Sequence, residues 1–298
     1  MMQNEAYCPV CGSKRHRALY PATLGVIARP ESLYFETGHG PIVQCQSCDM
    51  IYAHPQPNEA DLETEYGEIE VREYMSELPG RERQFADNFQ LVERFALRGR
   101  LLDVGCFTGV SLAVAQRRGW QAAGLEPSQL GRKMAFEHFG LEVWSGILPS
   151  PDLPPESFDV VTLWDVIEHV PDPGAVVREC WRLLRPGGVL GLGTPDIGSP
   201  LAQMMGGRWM WLIRIHFHYF SRTTMSRLLV DSGFMVKHIE TQTRYFTFRH
   251  LVRRVGAYAP FIFRGLDSLS PQFLAIQTWL VPINLFDCMV VIAQKPKP

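Results

Sequence analysis

From Leu101 onward the chain alternates apolar runs of strand length with stretches of helical spacing, and that alternation admits few folds. The strand candidates are LLDVG (101–105), QAAGLE (121–126), LEVWSG (141–146), FDVVTLW (158–164) and GVLGLGT (188–194). Most are near-continuous apolar runs, as strands buried on both faces must be. Between them VSLAVAQRR runs into Gly119, a segment opening at Ser128 runs into Gly140, and GAVVRECWRLL stops before Pro186 and Gly187. Serine caps helix starts and glycine ends helices, so these stretches carry their own boundaries. The order predicts an α/β fold with a mostly parallel sheet covered on both faces. Two later strand candidates, FMVKHIE (234–240) and DCMVVIAQ (287–294), bracket an insertion at about 242–286.

Ligands of such sheets sit beyond the carboxyl ends of the strands, where the first strand, its turn and the first helix meet. Here that turn is GCFTG (105–109). A dinucleotide fingerprint needs G-x-G-x-x-G so that backbone can press on a pyrophosphate. Phe107 stands where the second glycine belongs, which makes a nicotinamide enzyme a weak reading. S-adenosylmethionine has no phosphate and asks only for the tight bend. Glu126, 23 residues after Asp103, can accept hydrogen bonds from both ribose hydroxyls. Asp103 and the face of Trp164 can favour a sulfonium, the second through a cation–π contact.

The ordered set LLDVGCFTG, GLEPS, FDVVTLWDVIEHVPDP and LLRPGGVLGLGTPD resembles the motifs of the class I S-adenosylmethionine-dependent methyltransferases over about residues 95–298. The resemblance implies a Rossmann-like seven-stranded sheet with an antiparallel last strand, and cofactor contacts from Gly105, Phe107, Gly109, Glu126, Ile147 and Trp164. Two departures stand out. Phe107 replaces the usual second glycine, and SGILPS (145–150) lacks the acidic residue often found after the third strand, leaving Ile147 to meet adenine by apolar contact.

WDVIEHVPDP carries Asp165, Glu168 and His169, which share a face if the segment turns helically. Histidine titrates near neutral pH, so His169, helped by Glu168, is the candidate general base. The pair resembles the EH of sugar C-methyltransferases, which carry an N-terminal zinc ribbon. It also resembles that of quinone-pathway O-methyltransferases, where a D/E-x-x-E-H set can hold a divalent ion. The alternatives are that Glu168 and His169 cap a turn, or that alignment alone drives the reaction. In HFHYFS (216–221), His218 and Tyr219 are candidate acceptor-binding residues.

Upstream, Cys8 and Cys11 pair with Cys45 and Cys48 as two CxxC knuckles 33 residues apart. Four thiolates meet the tetrahedral preference of Zn2+ and close the site, which predicts a structural zinc. The domain reading is therefore a zinc-ribbon module at 1–60, a helical linker and cofactor lid at 61–98, and a methyltransferase domain at 99–298 with a helical insertion.

Net charge is −2, yet from Leu201 onward 12 Lys/Arg face 4 Asp/Glu. That imbalance suggests an anionic ligand or a peripheral membrane contact, and the insertion could equally close a homodimer. The resemblance to sugar-pathway methyltransferases implies methyl transfer to an oxygen or carbon of a small, sugar-like acceptor, nucleotide- or lipid-linked. The balanced first 60 residues, and LWDV in place of an N/D-P-P-F/Y-like motif, argue against nucleic acid. No signal peptide or membrane span is legible and the cysteines suit a reducing compartment, so a cytoplasmic enzyme is expected. A non-catalytic scaffold that kept the fold is the alternative.

Overall fold

A computed structural model of the chain describes residues 7–23, 38–56, 74–251 and 279–298. The chain opens with three short strands, β1 (His16–Tyr20), β2 (Ile42–Cys45) and β3 (Ile51–Ala53), and then helix α1 (Leu78–Val92). The alternating region follows as β4 (Arg100–Val104), α2 (Val110–Arg117), β5 (Gln121–Glu126), α3 (Gln129–Phe139), the two-residue β6 (Trp144–Ser145), β7 (Phe158–Trp164), α4 (Pro173–Leu183) and β8 (Leu184–Pro195). Beyond it lie α5 (Pro200–Met205), β9 (His218–Tyr219), α6 (Arg222–Asp231), β10 (Met235–Thr241), β11 (Arg244–Thr247), β12 (Leu280–Ile283) and β13 (Cys288–Gln294).

Local chemistry sets the helix ends. The Ser128 hydroxyl accepts the Gly131 N–H at the start of α3, and Gly140 ends that helix in the left-handed region. Helix α4 begins at Pro173, where Asp172 caps the Ala175 N–H at 2.8 Å. It buries Val176, Val177, Cys180 and Leu183, the i, i+1, i+4, i+7 stripe of a helix lying on a sheet.

The central sheet has seven strands in the order β10-β13-β8-β7-β4-β5-β6. β8, β7, β4, β5 and β6 run parallel, and β13 is antiparallel to both neighbours. One face packs Phe85, Phe89 and Val92 of α1 with Val110 and Val114 of α2 against Leu101, Val160 and Trp164. The other packs Val176, Val177 and Cys180 of α4 with Met225, Leu228 and Leu229 of α6 against Leu102, Val161 and Leu190. The 242–286 insertion leaves and re-enters as the antiparallel pair β11–β12, registered Arg244 to Ile283 and Thr247 to Leu280. A turn of helix begins at residue 248; residues 252–278 of the expected helical insertion lie outside the described residues.

A second sheet has the order β1-β2-β3-β9. Its fourth strand, His218–Tyr219, lies between α5 and α6, far along the chain from β3, so the four-cysteine module is built into the α/β unit.

Candidate active site

The turn after β4 is where the sequence leads one to expect the cofactor. Gly105 (φ +68°), Phe107 (φ +45°) and Gly109 (φ +78°) all lie in the left-handed region. Glycine reaches it freely; at Gly105 a Cβ would also fall 2.6 Å from Val166 Cγ2. Phe107 adopts that conformation against its chirality, at a cost of about 1–2 kcal/mol. Two observations account for it: its N–H donates to Glu126 Oε2 at 2.8 Å, and its ring meets Tyr74 edge to face at 5.0 Å. Glu126 Oε1 accepts the Ser128 N–H at 2.7 Å, so one buried carboxylate fixes both the turn and the start of α3. Burial raises its pKa against those two backbone donors.

Asp103 is buried, and both carboxylate oxygens are held inside the fold, one by the Ser111 hydroxyl and one by Thr162 Oγ1 at 2.6 Å. Burial lifts its pKa to about 6 despite those bonds. Trp164 is buried against Phe89, and its Nε1 donor has no partner among the described residues. Ile147, just after β6, is 63% exposed and offers an open apolar surface.

The candidate catalytic residues follow β7. Asp165 takes a left-handed conformation (φ +54°), and its Oδ1 accepts from Arg244 at 3.0 Å. Its partner is therefore the arginine, whose guanidinium also lies over the Trp211 ring at 4.5 Å. A single turn closed by the His169 N–H on the Val166 carbonyl then aims Glu168 and His169 elsewhere, onto His216. One ligand atom from each of Glu168, His169 and His216 lies within 4.8 Å of the others. The expected trio of Asp165, Glu168 and His169 is thus rearranged: His216 stands where Asp165 was anticipated.

Both histidines are anchored alike. His169 Nδ1–H donates to the Ile215 carbonyl and His216 Nδ1–H to the Trp211 carbonyl, each at 2.9 Å, leaving both Nε2 lone pairs for chemistry. Burial holds both pKa values below the usual histidine range, so the rings are neutral at pH 7. Burial, with Asp165 nearby, pushes Glu168 up to about 8, so at pH 7 it is mostly a neutral acid. Among the described residues its Oε2 has no hydrogen-bond partner.

His218 and Tyr219 are both buried in β9. His218 Nε2 meets the Val170 carbonyl at 3.0 Å, burial pushes its pKa down to about 4, and its Nδ1 has no partner among the described residues. The Tyr219 hydroxyl donates to the Ile213 carbonyl. His216 and Arg244 join the site only in the fold. His216 was visible in HFHYFS, but its partner His169 lies 47 residues earlier; Arg244 carried no signal beyond the basic tail.

The four cysteines converge. Cys8 Sγ lies 3.4 Å from Cys48 Sγ and Cys11 Sγ 3.6 Å from Cys45 Sγ, and all four sulfurs fall within 4.8 Å of one another. Zinc–sulfur bonds of about 2.3 Å at tetrahedral angles need sulfurs roughly 3.8 Å apart, so the donor set fits that ion. The Ser47 N–H donates to Cys45 Sγ at 3.3 Å, as an outer partner of a ligating thiolate would.

Of the basic residues in the insertion, Arg249 is exposed, while Arg253, Arg254 and Arg264 lie outside the described residues. No helix among the described residues is long and apolar enough to cross a membrane.

The Methyltransferase domain family matches residues 74–239, more than half of the chain. An ubiquinone biosynthesis O-methyltransferase of Psychrobacter arcticus is 29% identical over 164 residues, covering 50% of this chain and 64% of that protein. One from Pseudomonas entomophila is 37% identical over 103 residues, covering 32% of this chain and 44% of that protein. The match thus spans less than two thirds of either relative. A solved S-adenosylmethionine-dependent methyltransferase from Thermotoga maritima is 21% identical, with a TM-score of 0.48 over 76% of this chain and 96% of that one. By its family match, its strand order and the turn organised by Glu126, this chain belongs to the Methyltransferase domain family.

Proposed function

We propose that the chain transfers the methyl group of S-adenosylmethionine to a hydroxyl oxygen of a small acceptor. What supports this is that β4 and β7 are adjacent parallel strands, one followed by the Glu126-organised turn and the other by Glu168 and His169, which gather with His216, with Gly105 of the turn against Val166. S-adenosylmethionine supplies an electrophilic methyl on a sulfonium. Gly105, Phe107 and Gly109 shape its bed, Glu126 orients the turn with acceptor capacity left for ribose, and Ile147 offers an apolar rest for adenine. Asp103 and Trp164 support this bed from within.

His169 Nε2 takes the hydroxyl proton as the acceptor oxygen bonds to the methyl carbon and the carbon–sulfur bond breaks. Its Nδ1–H bond to Ile215 fixes the tautomer this requires. Glu168, mostly protonated at pH 7, acts as a hydrogen-bond donor to the acceptor rather than a second base. His218 and Tyr219 hold the acceptor loop in place through their bonds to Val170 and Ile213.

One observation favours a second reading of the same cluster. Two imidazoles with Nδ1–H tied to carbonyls beside a carboxylate make a nitrogen–nitrogen–oxygen set suited to a divalent cation, held by Glu168, His169 and His216. A cation there would polarise the acceptor hydroxyl. Four-cysteine zinc at residues 8, 11, 45 and 48, with the 1–60, 61–98 and 99–298 division, completes the reading. A sugar-linked, anionic acceptor is supported by the motif resemblance and the basic C-terminal third. Incubation with isotopically labelled cofactor and panels of sugar nucleotides and phenols, read by mass spectrometry with and without magnesium, tests it. Labelled product lost in His169→Ala is expected; an unchanged rate in that variant rejects the base.

A further inference from the structure

The four-cysteine module is wired to the acceptor half of the site by a short backbone path. Cys45 ends β2, and the turn through Cys48 closes with the Cys45 N–H on the Met50 carbonyl. β3 starts at the next residue and pairs with β9, Ile51 opposite Tyr219 and Tyr52 opposite His218. Next to that register the Ala53 N–H donates to the Phe217 carbonyl at 2.8 Å. Phe217 and His218 then donate their own N–H groups to the Glu168 carbonyl, at 2.8 and 3.2 Å. A side-chain route runs beside this one: Cys8, Cys45, Met50 and Tyr52 share a core cluster with Ile167 and Phe220. The cofactor turn is held differently, through Glu126, Ser128 and Leu125.

We infer that the metal-loaded cysteine cluster positions the acceptor side of the site, by holding β3 as the template on which β9 and the Glu168 backbone are set. Cys45 and Cys48 are on this account positioning residues. Metal release from the cluster slackens the Glu168 and His216 segments and leaves the cofactor bed in place. The inference rests on the reading of Glu168, His169 and His216 as the acceptor side.

The test uses the full chain loaded with zinc, stripped with a mercurial and a chelator, and reloaded. Amide hydrogen exchange reports the Phe217 and His218 N–H groups, and calorimetry reports S-adenosylhomocysteine affinity. On release of one zinc per chain, protection of those two amides is expected to fall about tenfold or more, as when a local backbone hydrogen bond is lost. Cofactor-product affinity is expected to stay within about twofold, and zinc to restore protection. Ala53→Pro removes the donor to Phe217 while keeping all four thiols, so it decides the matter if the stripped chain precipitates. It should retain one zinc and show the same loss of protection. Unchanged protection in both preparations, or cofactor-product affinity falling in step with protection, overturns the inference. Absence of cofactor-product binding in the loaded chain would instead reject the functional reading itself.

Discussion

Glu168→Gln gives a sharp test of the buried cluster, because its effect depends on pH in a direction fixed by burial. In the native chain Glu168 keeps its proton up to about pH 8, against an ordinary value of 4.5. Between those values the folded chain holds more protons than the unfolded one, so this group makes stability fall as pH rises. The loss is about 1.4 kcal/mol per pH unit and levels off near the folded pKa, so from pH 6.5 to 8 it amounts to on the order of 2 kcal/mol. Glutamine is close in shape and does not titrate. Groups common to both proteins, including the neutral histidines, cancel when the two are compared. Urea unfolding of wild type and Glu168→Gln across pH 6.5 to 8, in buffer free of added divalent ions, should show the variant gaining roughly 2 kcal/mol on the wild type. A difference that stays constant across that range would refute the buried, protonated carboxyl. A bound divalent ion would hold Glu168 ionised and abolish the trend, so added magnesium or manganese separates the two readings of the cluster.

Glu126→Gln leaves one amide oxygen for two backbone N–H groups, those of Phe107 and Ser128, and sets an NH2 against the other. That mismatch costs about 1–3 kcal/mol, so S-adenosylhomocysteine affinity measured by calorimetry should drop about tenfold or more. Gly105→Ala combines a left-handed φ with a Cβ 2.6 Å from Val166 Cγ2. A loss of about 1–2 kcal/mol or more in a urea melt is expected, together with weaker cofactor-product binding. On the proposed function, His216→Ala should slow methyl transfer about tenfold or more while leaving that binding within about twofold, since its ring gathers with Glu168 and His169 and not with the Glu126 turn.

The parallel strands, the caps at Ser128 and Gly140 and the two knuckles were legible because each is a local pattern: apolar runs, a hydroxyl before a helix, paired cysteines. Phe107 is legible as an anomaly, but its cause is not: only the fold shows it in glycine's conformation, tied to Glu126 and Tyr74. Asp103 read as a cation partner because its type and place suit one; its commitment to Ser111 and Thr162 needs the packed sheet to be seen. His216 and Arg244 escaped for the same reason, since each owes its meaning to a group 47 or 79 residues earlier. Strand β9, two residues long, has no periodicity to read and exists because β3 offers it an edge.

The most direct test of the central claim is calorimetric titration of the purified chain with S-adenosylmethionine and S-adenosylhomocysteine, in parallel with Glu126→Gln. One saturable site per chain, about tenfold or more weaker in the variant, is the predicted result. No heat and no thermal shift with either compound, or equal affinity in both proteins, would contradict a cofactor bed organised by Glu126.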